Sequence, residues 1–116
     1  MASSEATIKR WDVVVVPFPY SDRLAEKRRP ALVVSSENFN AETGLLWVVM
    51  ITSTENVGWH GDVEIPLGVK SGLTSASTIR TAKLATIEQA RVLRVAGQID
   101  AKTAGKVKRL LAVVVG

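Results

Sequence analysis

The segment 25–40, AEKRRPALVVSSENFN, decides how the rest of the chain is read. Lys27, Arg28 and Arg29 stand directly before Pro30, and Ala31, Leu32, Val33 and Val34 follow it. A proline holds the residue before it in extended backbone. The break between charge and apolar run therefore reads as the start of a buried strand over 30–35. SSENFNAETG then reads as a turn region with room for one helical turn, closed by Gly44 at positive φ.

The same pattern recurs on both sides. DVVVVPF over 12–18 reads as a strand ended by Pro17 and Pro19, since proline removes a ladder donor. LLWVVMIT over 45–52 is almost continuously apolar, as in a strand buried on both faces. Further strands are expected over 62–66, 77–86 (bent at Ala82 or Ala85) and 93–97, with a single helical turn over 87–92 capped by Thr86. From Asp100, a good N-cap, the tail reads as a helix with Ala104, Val107, Leu111 and Val114 along one face. Five to six short strands closing on themselves, with one C-terminal helix, make a mainly β, small SH3-like barrel. It is expected as a single domain over 11–116 behind a flexible polar lead-in over 1–10.

The 116 residues suit one compact domain, and 47% hydrophobic with 22% charged residues is a globular composition. There is no cysteine, so neither a disulfide framework nor a thiolate metal site is available. That agrees with a cytoplasmic location. The start of the sequence has no apolar signal region, and no run is long enough to span a membrane. A net charge of +4 is gathered at Lys9-Arg10, Lys27-Arg28-Arg29, Arg80 with Lys83, Arg91 with Arg94, and Lys106-Lys108-Arg109. Charge alone leaves two readings open, a nucleic-acid partner and a solvated basic surface.

DVVVVPFPYSD, KRRPALVVSSENFN and LLWVVMITST, in that order, resemble the MazF/PemK family of toxins from bacterial toxin–antitoxin pairs. GLTSASTIRTAKLATIE and the closing helix match in position, so the resemblance covers about residues 10–115. It implies an SH3-like barrel that acts as a homodimer. It implies a sequence-specific endoribonuclease that cuts single-stranded RNA without metal or cofactor, leaving a 2′,3′-cyclic phosphate and a 5′-hydroxyl. It also implies a cognate antitoxin that lays an acidic extended segment in the same groove, with operator DNA bound only by the toxin–antitoxin complex. Arg29 and Thr52 match the positions of the family's catalytic arginine and threonine, and Arg80 matches a later arginine that some members use. The same fold also serves toxins that inhibit a protein such as DNA gyrase, and a catalytically inactive barrel would still bind nucleic acid or antitoxin.

The chemistry explains those residue types. Attack by a 2′-hydroxyl needs a proton acceptor, a stabiliser of the extra negative charge on phosphorus, and a proton donor for the leaving 5′-oxygen. An arginine gives two parallel hydrogen bonds to phosphoryl oxygens and stays charged. A threonine hydroxyl orients the phosphate or the 2′-oxygen. Lys27, Arg28, Ser53, Arg80 and Lys83 are candidates for RNA contact, and Trp59 for stacking on an unpaired base. Arg80 and Lys83 lie three apart, so both serve one groove only if a bulge or bend intervenes. Ala82 stands where some relatives carry an acid, which leaves Glu26 and His60 as the candidate acid or base. His60, between Trp59 and Gly61, reads as an exposed residue at a flexible loop tip.

Overall fold

The computed structural model describes residues 8–18, 27–55, 58–66 and 70–116. Among them the order is β1 (Asp12–Phe18), β2 (Lys27–Val33), α1 (Glu37–Thr43), β3 (Leu45–Ser53), β4 (Asp62–Ile65), β5 (Ser77–Glu88), β6 (Arg94–Gln98) and α2 (Ala101–Val115). The strands form one six-stranded sheet in the order β4-β5-β3-β2-β1-β6, and every pair is antiparallel. The expected mainly β architecture with a C-terminal helix is what the chain adopts.

Two apolar layers hold the sheet. On one face Val13, Leu32, Val49, Ile51, Val63 and Ile79 form a cluster closed by Val107 of α2. Strands near opposite edges, β1 and β4, contribute to that one cluster, so the sheet curls around it. On the other face Val14, Val16, Ala31, Val33, Val48 and Met50 form a second cluster, with Ile8 added. β3 feeds both, which is why its sequence lacks polar alternation. Fully burying a side chain such as Leu32 contributes roughly 1.5–3 kcal/mol.

Two boundaries differ from expectation, while β1 spans Asp12–Phe18 as expected. β2 begins at Lys27, so the basic triplet belongs to the strand: Arg29 pairs with Val16, Arg28 with Pro17 and Lys27 with Phe18. β1 passes through Pro17 because its pairing with β6 has already stopped, at Val15 opposite Arg94. The missing donor therefore falls where only one neighbour lies alongside. β5 runs on to Glu88, since Leu46 and Leu45 pair with Ile87 and Glu88, and only Gln89–Arg91 forms a 3-10 turn, after Glu88 rather than Thr86.

Local caps follow the sequence. Ser36 Oγ accepts the Phe39 N–H, and Gly44 closes α1 at φ 72. Asp100 Oδ1 accepts the Thr103 N–H at 2.9 Å and opens α2. Ala104 and Val107 are buried on α2, whereas Val114 at the far end of the expected apolar face is 67% exposed. At the other end of the chain, Ile8 packs on the second cluster, and the Lys9 N–H donates to buried Asp12. The edge strand β6 is covered by the 70–72 segment: the Gln98 N–H donates to the Lys70 carbonyl at 2.7 Å. Gly72, at φ 75, and Gly97 permit that approach, because a Cβ on either would strike the facing backbone.

Candidate nucleic-acid interface

Register brings the sequence's candidates onto one face. β2 and β3 pair Ala31 with Met50. The β2–β3 pairing ends there, and Arg29 and Thr52 each lie two residues beyond that last pair, on the same face as Ala31 and Met50. Thr52 pairs with Thr78, and Met50 pairs with Arg80. Arg80 in turn pairs with Asp62 on β4. Residues directly opposite in a sheet, and residues two apart in a strand, share a face. Arg29, Thr52, Thr78, Arg80 and Asp62 therefore continue the face of the second cluster beyond its apolar end. Thr54 joins them, its Oγ1 lying 3.4 Å from Thr78 Oγ1.

The remaining candidates are dispersed. Lys27 shares the strand face of Arg29 and is exposed, whereas alternation turns Arg28 and Ser53 to the opposite face. Ser53 Oγ accepts the Glu55 N–H there at 3.2 Å. Lys83 is half-buried inside an irregular stretch of β5. β3 pairs Met50 with Arg80 and then Val49 with Leu84, so Thr81, Ala82 and Lys83 are extra residues. The irregularity spans Thr81 to Lys83, and so includes Ala82 but not Ala85, the other position where a bend was expected. His60 is exposed, and Glu26 lies outside the described residues.

The densest electrostatic contacts surround Arg80, which is 8% exposed. Its Nη2 lies 3.3 Å from Asp62 Oδ2, and its guanidinium carbon lies 4.4 Å from the centre of the Trp59 ring. Asp62 Oδ2 also accepts the Trp59 N–H at 2.9 Å. The Asp62 N–H donates to the Trp59 carbonyl at 3.2 Å, and Thr81 Oγ1 donates to the Gly61 carbonyl at 2.6 Å. The 58–61 turn is therefore tied to β4 and β5, against the flexible tip expected from its glycines. Asp62, Thr78 and Thr54 were not singled out from sequence. Only the register between β4, β5 and β3 reveals them, and nothing local in GDVEI or TSTE encodes it.

Among the described residues no three His, Asp or Glu side chains converge to hold a metal ion. No helix there is long and apolar enough to cross a membrane.

The comparisons with known proteins agree with this geometry. MazF from Deinococcus radiodurans superposes with a TM-score of 0.77 at 22% identity, over 97% of this chain and 99% of that one. An endoribonuclease in complex with its cognate antitoxin from a mycobacterial species gives 0.76 at 20% identity, over 94% and 95%. A MazE–MazF complex from Deinococcus radiodurans gives 0.74 at 21%, over 97% and 98%. At such identities these neighbours speak for the fold alone. No curated protein matches the sequence significantly. Residues 9–115, however, match the sequence family described as PemK-like, MazF-like toxin of type II toxin–antitoxin system. With nearly its whole length inside that match, the chain belongs to the PemK/MazF-like toxin family.

Proposed function

We propose that this toxin is a sequence-specific endoribonuclease that cleaves single-stranded RNA in the cytoplasm, with Arg29 and Thr52 at its centre. The observation that supports the reading is that Thr52 pairs with Thr78 on the face that also holds Arg80, with Arg29 two residues beyond the last β2–β3 pair on that same face. The 2′-oxygen attacks phosphorus, the P–O5′ bond breaks, and the 2′-proton leaves as the 5′-oxygen gains one. The Arg29 fork donates to the non-bridging oxygens, where negative charge develops. Thr52 orients the phosphate or the 2′-oxygen. Pro30 behind Arg29 and β1 beside it hold the arginine's backbone in one extended geometry, so that positioning is prepaid. Glu26 and His60 are the candidates for proton transfer. Lys27 and Lys83 supply charge along the RNA path, whereas Arg28 and Ser53 face away from it. The nucleophile belongs to the substrate, so the scheme needs no metal.

The partners follow from the surface. Trp47, Leu84, Val113, Val114 and Val115 are all more than 40% exposed. Trp47, Leu84 and Val115 line an apolar cleft of about 320 Å³ together with Phe39 and Leu111. A second copy of the chain is the occupant we propose, since patches of this kind mark interfaces and two-fold dimers are the commonest closed assembly. An acidic antitoxin segment suits the Arg29 face. Neighbours of the same fold are described as complexes with their antitoxins.

Incubating the protein with a long unstructured RNA and a chelator, and mapping the ends, tests the nuclease. Cuts at one short sequence with cyclic-phosphate ends are expected, and Arg29→Ala should slow them about 10²- to 10³-fold. Intact RNA, or cleavage indifferent to Arg29→Ala, would sink the reading. A gyrase supercoiling assay distinguishes inhibition of a protein target.

A further inference from the structure

We propose that Trp59 is a stacking platform for one unpaired nucleobase, and that Asp62 is the residue that positions it. The inference rests on the ribonuclease reading and adds a base-binding site to it. Arg80 lies against one face of the indole, at 4.4 Å from the ring centre, while the side chain as a whole stays 47% exposed. A tryptophan that only filled space would turn its faces inward. Here the ring rests on a buried cation while about half of the residue stays open to solvent. Every nucleobase has a π-face that such a ring accepts.

Asp62 fixes both halves of the stack. One carboxylate oxygen, Oδ2, takes the Arg80 Nη2 at 3.3 Å and the Trp59 N–H at 2.9 Å. The guanidinium and the backbone that carries the ring are thereby referenced to a single atom. Thr81 holds the turn from the other side through the Gly61 carbonyl. A loop tryptophan loses side-chain freedom when it stacks, and a ring already fixed loses less.

The platform is also well placed. Arg80 is two residues along β5 from Thr78, which pairs with Thr52. That is about 7 Å along the strand, so the cation that supports the Trp59 ring lies on the same sheet face as Thr52. In this arrangement Arg80 supports a ring and leaves the scissile phosphate to Arg29.

The test uses a fluorescein-labelled, fully 2′-O-methylated single-stranded RNA of mixed sequence, which lacks the nucleophile and stays intact. Trp59→Ala is expected to weaken binding about 5- to 150-fold, the range for one base–aromatic stack. Trp59→Phe should keep most of the affinity. RNA should quench tryptophan emission in the wild type and not in Trp59→Phe. Asp62→Asn should weaken binding by less than Trp59→Ala and reduce that quenching, with the fold intact by circular dichroism. If the wild type cleaves RNA while Trp59→Ala binds as tightly, the platform is refuted and the nuclease stands. Unchanged affinity and quenching in Asp62→Asn would remove its positioning role. A wild type that neither binds nor cuts any RNA overturns both readings.

Discussion

Met50 stands across from Arg80 at the last regular pair before β5 leaves the register of β3, and the next pair is Val49 with Leu84. Three residues of β5 are absorbed in that step. On one side of it the shared face carries Arg80, Thr78 and Thr52. On the other side Ala85 and Ile87 pack against the second apolar cluster. One irregularity therefore divides the strand into a buried half over 77–81 and a half over 82–88 that alternates between exposed and half-buried.

Thr81 sits within the bulge at 2% exposure and donates to the Gly61 carbonyl. Thr81→Val keeps the shape and orphans that carbonyl. A loss of about 1–3 kcal/mol is expected in urea unfolding. Thr81→Ser should recover most of it.

Arg29 is expected to act through its fork as well as its charge. Arg29→Lys should therefore leave cleavage about 10- to 100-fold below wild type, the cost of one charge-assisted hydrogen bond. Single-turnover rates on a short RNA measure it. Full activity in the lysine variant would reduce Arg29 to a point charge.

Asp100 gives α2 a pH dependence. The Thr103 side chain, and then the Thr103 N–H, hold its carboxyl below the ordinary aspartate range. The folded pKa lies below the unfolded one, so the added stability is present above the unfolded value and fades as pH falls through the folded value. Asp100→Asn should unfold more easily than wild type at neutral pH. The gap should close in acid below about pH 4, as followed by circular dichroism.

The exposed end of α2 predicts an assembly defect. Val113→Lys or Val114→Lys, at positions 76% and 67% exposed, should leave the monomer fold unchanged. Each should shift the mass seen by light scattering from dimer toward monomer. A wild type that is monomeric at micromolar concentration would contradict the proposed dimer.

The strand content was legible because Val and Ile runs alternate with turn formers, and α2 because Asp100 and the spacing of Ala104 and Val107 mark it. Arg29 and Thr52 were singled out through their resemblance and through Pro30. The Arg80 environment was not. Asp62 and Arg80 are eighteen positions apart, and their meeting depends on how β4 pairs with β5. A composition reads GWHG as a loose tip, yet the carboxylate one residue later and Thr81 tie it down. The start of β2 at Lys27 was missed for a similar reason. Whether a proline ends a strand depends on how far its neighbours run beside it.

The 70–72 cover on β6 carries a last consequence. An uncovered β6 would offer its backbone to any extended chain, including another toxin molecule. Gly72 and Gly97 thus guard the protein against edge-to-edge polymerisation. A single methyl group at either position would collide with the facing backbone and force the cover away from the edge.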